Sequence, residues 1–308
     1  MTEEITVGGI TVPLSHPDKV LFPDDKITKA DLARYYADVA DRMLPWLRDR
    51  PITMVRYPDG LAGQRFFQKN ASSYFPAWIR RVEVGKEGGV VEHVICDKPA
   101  TLVYLANQAC IEIHGFTSRA DRVDRPDQLV IDFDPPDAEH FDEVRRAALW
   151  ARDLLDAELG LTSYVRTTGG RGLHVHVVLD RRANFDTVLE FTHRVAGVLA
   201  GRHPDVITTE QRKDKRGMRI YADVMRNAYA QTVIANYAVR ARPGASIATP
   251  LSWPEVEDDG LDPGKFTMAT ARRRLDRHTG ADDPWADFAS TRHGLSRAAN
   301  RLAKLETR

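Results

Sequence analysis

Two aspartates close a short apolar run in the segment 129–137, which reads LVIDFDPPD. The apolar residues favour a buried β-strand, and the prolines that follow end it. Because side chains alternate along a strand, Asp132 and Asp134 point to the same face. Two carboxylates this close repel each other unless one takes up a proton or a cation lies between them. The segment therefore predicts a divalent-metal site with oxygen ligands or, as the alternative, an exposed strand end with solvated acids.

The composition favours a globular protein with one large core or two smaller ones. The chain has 308 residues, 43% hydrophobic and 29% charged, and such a length suggests about two domains. No apolar run approaches the ~20 residues of a membrane span, and the N-terminal MTEEITVGGITV lacks the features of a secretory signal. Two cysteines, Cys96 and Cys110, exclude a four-cysteine zinc or iron–sulfur site and a disulfide framework. We therefore expect a cytoplasmic protein without a membrane partner.

The charges balance, with 44 basic and 44 acidic residues. A protein that binds nucleic acid with this balance must concentrate its positive charge on one face. Basic residues cluster at 212–219, 239–242 and 272–274, and acidic residues at 255–262. Charge runs are usually solvated, so this pattern permits nucleic-acid binding without requiring it.

The order of elements predicts an α/β or α+β core with several hairpins and no regular βαβ winding. Gly8 and Gly9 indicate a small hairpin, and Thr28 with Asp31 has the spacing of a capping box at the start of a helix. The acidic stretch 255–264 is the best candidate for a hinge before a mostly helical tail. The predicted helices cover 28–47, 99–108, 139–159 and 184–201, and the predicted strands 51–57, 80–84, 90–95, 110–114, 163–167, 173–179 and 219–224.

The segment TTGGRGLHVHVV, 167–178, combines a glycine turn with polar side chains. Glycines allow backbone N–H groups to approach an anion, and the Thr168 hydroxyl and Arg171 guanidinium suit phosphate oxygens. In the strand that follows, His174 and His176 share a face. The alternatives are an ordinary turn between strands and a plain surface strand. A zinc site at the two histidines is less favoured, because no third soft ligand lies at suitable spacing.

A third aspartate, Asp223, ends the predicted strand in RIYADVMRN, 219–227. Three carboxylates from two strands could hold two divalent ions ~4 Å apart, the arrangement that serves phosphoryl transfer. A single aspartate near a strand end is more often structural. The hypothesis of a metal site therefore depends on the coincidence of all three motifs.

IDFDPP, TTGGRGLHV and IYADVMRN, in this order, resemble the three motifs of the archaeo-eukaryotic primase superfamily. More closely, the chain resembles the polymerase domain of bacterial ligase D, since that family also has segments similar to HPDKVLFP, RPITMVRYPDG, FFQKN and ANYAVRARPGASIATPLSWPEV. The resemblance covers roughly residues 10–280. It implies a primase-polymerase fold with mixed central sheets packed by helices and an active site between the sheets. We expect a single domain over 1–308, with an N-terminal part at 1–115, a catalytic core at 116–254 and a helical C-terminal tail at 255–308.

The resemblance also implies a role for individual residues. The catalytic metal ligands would be Asp132, Asp134 and Asp223, holding two ions of Mn²⁺ or Mg²⁺. Contacts to the nucleoside triphosphate would come from His114, Thr168, Arg171, His174, Arg216, Arg240 and Arg242. Contacts to DNA would come from Lys19 and Lys29 at a 5′-phosphate, and from Phe66, Phe67 and Lys69 at the template. Because neighbouring strand residues face opposite ways, we expect one of the two phenylalanines to stack on a base and the other to pack inside.

The activity implied is a template-directed nucleotidyltransferase that adds nucleotides, preferably ribonucleotides, to DNA 3′ ends or gaps during double-strand-break or gap repair. The sequence contains no Lys-x-Asp-Gly motif of an ATP-dependent ligase, so the resemblance implies a stand-alone polymerase that works with a separate DNA ligase and a Ku-like end binder. Val55 stands where some relatives carry an additional basic residue and His16 where some have asparagine, which weakens the assignment to a 5′-phosphate. Two rival functions stay open: a metal-dependent phosphohydrolase or nuclease, and a non-catalytic module that binds 5′-phosphorylated DNA ends.

Overall fold

The computed structural model describes residues 3–307. Its strands are numbered along the chain as β1 (Glu3–Val7), β2 (Ile10–Leu14), β3 (Val20–Phe22), β4 (Ile27–Thr28), β5 (Ile52–Arg56), β6 (Phe66–Gln68), β7 (Arg81–Lys86), β8 (Gly89–Val94), β9 (Cys110–Phe116), β10 (Ser118–Arg119), β11 (Arg122–Pro126), β12 (Gln128–Asp134), β13 (Ser163–Thr167), β14 (Leu173–Val178), β15 (Ile207–Thr208), β16 (Ile220–Asp223), β17 (Thr232–Ile234) and β18 (Pro250–Leu251).

The α-helices are α1 (Lys29–Asp38), α2 (Ala40–Leu47), α3 (Pro99–Asn107), α4 (Phe141–Arg152), α5 (Phe185–Arg202), α6 (Lys213–Arg216), α7 (Trp253–Glu257), α8 (Met268–Arg277) and α9 (Leu295–Glu306). Among the described residues, none of these helices combines the length and the apolar character needed to cross a bilayer. The mixed α/β fold class predicted from the sequence is confirmed.

The chain forms two compact units, and each draws on three separate stretches of sequence. Unit 1 consists of Met1–Asp121, Thr232–Ala248 and Gly264–Asp276. Unit 2 consists of Arg122–Gln231, Thr249–Pro263 and Arg277–Arg308.

Unit 1 contains an antiparallel sheet of order β17-β9-β5-β6. Helix α1 begins at the predicted capping box, where the Thr28 hydroxyl accepts a hydrogen bond from the Asp31 N–H. The prediction of one helix over 28–47 is wrong, because Val39 adopts φ −93° and ψ 0° and separates α1 from α2. The Tyr36 hydroxyl, fully buried on α1, donates to the carbonyl of Ile111 on β9 at 2.7 Å. This contact joins the helix to the central strand of the sheet.

Unit 2 is built on a sheet of order β15-β16-β12-β14-β13-β18. Strands β12, β13, β14 and β16 pair antiparallel, and helices α4 and α5 pack against the sheet. Leu129, Ile131 and Phe133 share one face of β12, as the alternation of side chains requires, and all three are fully buried. Helix α4 continues as π-helical turns over Asp153–Leu159, which matches the predicted end of the helix at 159, and Gly160 with φ +72° follows as its C-cap.

The C-terminal stretch of unit 2, Arg277–Arg308, packs against strands β13 and β14 of this sheet. Trp285 donates its indole N–H to the Val165 carbonyl at 3.0 Å and lies edge-on to His176. Tyr164 on β13 packs edge-on against Phe288. His176 is 1% exposed, so the alternative that its strand is a plain surface strand is wrong.

Candidate active site

Four polar residues form a row across adjacent strands of unit 2. The strand register places Asp223 on β16 opposite Asp132 on β12, Asp132 opposite His174 on β14, and His174 opposite Arg166 on β13. Residues directly opposite in an antiparallel pair share a face, so these four side chains lie side by side. We call Asp223, Asp132, His174 and Arg166 the polar row. Three of its members are 4% exposed or less, and Asp223, at one end, is half-buried. The polar row is therefore buried except at the Asp223 end.

The three aspartates converge at the open end of the polar row. Each of Asp132, Asp134 and Asp223 offers a carboxylate oxygen, and the three oxygens lie within 4.8 Å of one another. Burial, then the charges of Asp132 and Asp223, raise the pKa of Asp134 to about 7. Burial, reinforced by Asp132, also raises the pKa of Asp223. The alternative of a solvated strand end is wrong for Asp132, which is 4% exposed.

His174 connects a buried arginine to the first of these aspartates. An Arg166 N–H donates to the His174 Nδ1 at 2.9 Å, and the His174 Nε2 lies 3.2 Å from the Asp132 Oδ2. A guanidinium has no acceptor, so Nδ1 carries the lone pair and Nε2 carries the proton. His174 therefore donates to Asp132 and fixes the direction of its carboxylate. A direct contact between His174 and a nucleotide stays a prediction.

The glycine turn lies tightly against the end of β12. The Thr168 hydroxyl accepts from the Gly170 N–H at 3.1 Å and donates to the Gly172 carbonyl at 3.2 Å, so it organises the turn itself. A Cβ on Gly172 would lie 2.4 Å from the Phe133 carbonyl oxygen, between the two motif aspartates. Only glycine allows this approach. Arg171 is exposed at the tip of the turn.

Two further arginines lie near the aspartates. The Arg226 Nε is 3.6 Å from the Asp132 Oδ2, and the charges of Arg226 and Arg216 lower the pKa of Asp134 against the larger effect of burial. The Arg216 guanidinium covers the Tyr221 ring at 3.7 Å. Neither Arg226 nor Arg166 is among the predicted site residues. Their position could have been suggested by sequence, since Arg226 follows Asp223 by three residues and Arg166 precedes Thr168 by two.

Unit 1 contains a second polar cluster, centred on Glu112 of β9. Its carboxylate accepts from the His114 Nε2 at 2.9 Å, from the Arg240 Nε at 3.1 Å and from the Ala241 N–H at 3.0 Å. Burial alone would raise the pKa of Glu112, but the hydrogen bond from His114 and the charge of Arg240 outweigh it and lower the pKa to about 2. Glu112 is not among the predicted residues. Glu112 contacts two of the predicted residues, His114 and Arg240. A third predicted residue, Arg242, is half-buried and lies on the same loop as Arg240.

The predicted 5′-phosphate lysines lie near each other in unit 1. Burial, reinforced by the charge of Lys19, lowers the pKa of Lys29. The Lys29 amine donates to the Ser15 hydroxyl at 3.1 Å, and the Lys19 amine pairs with the exposed Asp59 at 3.0 Å. Because the charge of Lys19 disfavours the charged form of Lys29, an anion close to Lys29 would relieve this repulsion.

The expectation that one of the two phenylalanines packs inside is wrong. Phe66 is 51% exposed and Phe67 is 63% exposed. They lie on β6, a three-residue strand at the edge of its sheet, so alternation turns neither ring into the core. The Arg65 guanidinium lies 5.2 Å from the centre of the Phe67 ring. Lys69 follows the strand and is exposed.

The fold and the polar row define a protein of the primase-polymerase class. A family model described as "LigD, primase-polymerase domain" matches residues 28–285. The solved structure "Polymerase Domain from Mycobacterium tuberculosis Ligase D in complex with DNA" has a TM-score of 0.83 at 28% identity, and the match covers 92% of this chain and 99% of that one. The chain belongs to the LigD primase-polymerase domain family.

Longer relatives show the same similarity. The "Multifunctional non-homologous end joining protein LigD" of Pseudomonas aeruginosa is 33% identical over 290 residues, which are 94% of this chain and 34% of that protein. The "Bifunctional non-homologous end joining protein LigD" of Bacillus subtilis is 34% identical over 273 residues, 88% of this chain and 43% of that protein. The chain thus spans less than half the length of these relatives.

Proposed function

We propose that this chain is a template-directed nucleotidyltransferase that adds nucleotides to DNA 3′ ends or gaps during the repair of double-strand breaks or gaps. The observation that carries the proposal is the convergence of Asp132, Asp134 and Asp223 beside the glycine turn. Membership of the LigD primase-polymerase domain family supports it. A preference for ribonucleotides is part of the proposal and rests on the resemblance alone.

The donor set of the three aspartates fits divalent cations. All three ligands are carboxylate oxygens, which suit Mg²⁺ and Mn²⁺ rather than softer metals. Burial, and then the charges of Asp132 and Asp223, raise the pKa of Asp134, and a cation between the carboxylates would offset both effects. We propose that Asp132, Asp134 and Asp223 hold two ions. Such ions, when bound, activate the primer hydroxyl and neutralise charge on the triphosphate.

The surrounding residues keep these ligands in place and prepare the site for phosphates. Arg166, through His174, holds the Asp132 carboxylate in one orientation, so little reorganisation is needed when ligands bind. The Thr168–Gly172 turn presents Arg171 to solvent beside the aspartates, where its fork suits phosphate oxygens. Arg216 adds positive charge to the same region. We assign His114, Arg240 and Arg242 to the triphosphate on the family resemblance.

The DNA contacts belong to the proposal as well. Lys19 and Lys29 form a pair of ammonium groups suited to a 5′-phosphate. Phe66 and Phe67 offer two exposed rings for base stacking, worth ~1–3 kcal/mol per base in single-strand binders, and Lys69 follows them. The relative from Mycobacterium tuberculosis was solved in complex with DNA. A Ku-like end binder and a separate ATP-dependent ligase are the partners we propose, and a cytoplasmic location stays a prediction.

The test is primer extension on a gapped duplex with a 5′-phosphate, comparing ribonucleotides with deoxynucleotides in Mn²⁺. We expect extension that follows the template, with ribonucleotides preferred, and its loss in the variant Asp132→Ala, Asp134→Ala. Asp142→Ala, at an exposed aspartate of α4, is the control and should keep full activity.

The rival functions give different outcomes. Loss of nucleotides from the DNA ends without any triphosphate would identify a nuclease. End binding without extension, unchanged in the double variant, would identify a non-catalytic module. No extension with any triphosphate would contradict the proposal.

A further inference from the structure

A cavity of about 840 Å³ lies in unit 2, away from the aspartates. It is bordered by the end of the π-helical turns, the loop after β14 and the start of α9. His174 is near the beginning of β14 and the cavity residue Asp180 follows its end, so the two sites lie at opposite ends of this strand. Such a volume lies within the ~300–1,000 Å³ of pockets that take small ligands. The charged and titratable residues of its lining are Asp180, Arg182, Arg292, His293, Arg297 and Arg301.

The lining is strongly positive. Its one carboxylate, Asp180, is already engaged, because it accepts from the backbone N–H of Arg182 at 3.1 Å and lies 3.5 Å from the Arg182 Nε. Burial lowers the pKa of His293, so this side chain is neutral at pH 7, and its Nε2 accepts from the Thr162 N–H at 3.0 Å. The other three arginines, Arg292, Arg297 and Arg301, are therefore not neutralised within the cavity.

Three of the arginines have no ionic partner among residues 3–307. Arg292, Arg297 and Arg301 are exposed, and their side chains make no ion pair or hydrogen bond within the described chain. Other arginines of unit 2 pair with carboxylates, for example Arg146 with Glu143, Arg194 with Glu306, and Arg202 with Glu158. Arg297 and Arg301 are four residues apart on α9, a spacing at which like charges destabilise a helix. An anion in the cavity would remove this repulsion.

The position of Arg301 depends on the backbone at the cavity edge. Gly160 has φ +72°, and a Cβ there would lie 2.5 Å from the Arg301 Nη1. The guanidinium thus occupies space at the cavity edge that the side chain of a larger residue at position 160 would fill.

We propose that this arginine cavity binds phosphate groups, supplied either by a nucleic-acid backbone or by a free nucleotide. Guanidinium groups match the geometry of phosphate oxygens and form strong charge-assisted hydrogen bonds with them. The inference concerns a surface that the proposed polymerase reaction does not use. It can therefore hold or fail independently of that reaction.

The experiment follows the arginine side-chain Nε–H signals of the full chain by NMR, without divalent cations. The signals are assigned with single Arg→Gln variants, and the probes are inorganic pyrophosphate, ATP and a blunt DNA duplex. We expect saturable shifts of the Arg292, Arg297 and Arg301 signals. The signals of Arg48, Arg122 and Arg277, which are exposed and lie outside the basic clusters and the cavity, should stay in place and are the internal control. In Arg292→Gln, the affinity read from Arg297 and Arg301 should fall about tenfold, as expected for one lost charge-assisted hydrogen bond.

A second measurement separates the two sources of phosphate. If DNA is the ligand, the variant Arg292→Gln, Arg297→Gln, Arg301→Gln reduces the slope of log affinity for duplex against log salt by about two to three relative to the control variant Arg48→Gln, Arg122→Gln, Arg277→Gln. If the slope is unchanged while pyrophosphate and ATP still shift the three signals, the ligand is a free nucleotide. Absence of a saturable shift with all three probes would overturn the proposal.

Discussion

Two kinds of buried carboxylate occur in this protein, and their surroundings separate them. Glu112 is surrounded by donors, from His114, Arg240 and the Ala241 N–H, and its pKa is lowered to about 2. Burial, and then the charges of Asp132 and Asp223, raise the pKa of Asp134 to about 7. The first arrangement is complete within the folded chain. The second becomes electrostatically favourable when cations join it, which is the residue-level argument for a metal site.

Asp134→Asn should stabilise the metal-free protein while it weakens metal binding. The substitution removes one of three repelling carboxylates and keeps the size of the side chain. We expect the unfolding free energy to rise on the order of 1 kcal/mol, as in other trade-offs between stability and function. Thermal unfolding without metal measures the gain, and calorimetric titration with Mn²⁺ measures the loss. A lower melting temperature would contradict the repulsion between the aspartates.

Glu112→Gln should have the opposite effect on stability, because it leaves Arg240 without its buried counter-charge. Removal of one partner of a buried ion pair costs about 3 kcal/mol. The control is Glu92→Gln, whose pair with Arg81 is 43% exposed on the Glu92 side and should contribute less than about 1 kcal/mol. Urea unfolding at pH 7 measures both variants, and equal effects would contradict the argument.

The stability difference between the wild type and Glu112→Gln should depend on pH, because the pKa of Glu112 is lowered in the folded protein. Its pKa in the folded state lies below the ordinary value of 4.5. The stabilisation is therefore fully present above that value and is lost as the pH falls towards about 2. The difference in unfolding free energy between the wild type and Glu112→Gln should accordingly become smaller as the pH falls from 7 to about 3.5. If this difference in unfolding free energy grows on acidification, the carboxylate is not the stabilising group.

At the scale of elements, the glycine turn is held by its contact with strand β12. Gly172→Ala should destabilise unit 2 by about 2 kcal/mol or more, since the new Cβ meets a backbone oxygen that cannot move independently of the strand. Gly197→Ala on α5 is the matched control, because nothing lies within 4 Å of its Cβ position. It should stabilise the helix by about 0.5–1 kcal/mol. Chemical unfolding of both variants tests the contrast, and a neutral Gly172→Ala would disprove the close approach.

Local patterns predicted those elements whose determinants are adjacent in sequence. The capping box at Thr28, the end of a helix at Gly160 and the shared direction of Asp132 and Asp134 are examples. The break at Val39 was missed, since both sides of it have a helical pattern.

Partners that are distant in sequence could not be read in the same way. Glu112 meets Arg240 across more than a hundred residues, and no periodicity within one element reports such a contact. The polar row depends likewise on the register between strands, which fixes Asp132 opposite both His174 and Asp223. The exposure of both Phe66 and Phe67 follows from their place on an edge strand, which is a property of the sheet and not of the local sequence.

At the scale of the whole molecule, each unit is assembled from stretches that are not consecutive in the sequence. Strand β17 pairs with β9 in unit 1, although more than a hundred residues separate them. Beyond residue 255, the chain passes into unit 1 at Gly264 and into unit 2 again at Arg277. From the sequence, we predicted one helical tail over residues 255–308.

Hydrogen exchange can decide whether that tail is one cooperative element or two. Trp285→Ala removes an aromatic side chain that packs within unit 2, and Phe266→Ala removes one that packs within unit 1 under Arg274. Each loss costs about 3–5 kcal/mol at a buried site, and amides protected by the same cooperative unit lose protection together. Trp285→Ala should therefore speed exchange in 277–308 and leave 264–276 unchanged, and Phe266→Ala should do the reverse. If either variant loosens both stretches equally, the tail is a single element and the division at Arg277 is not a cooperative boundary.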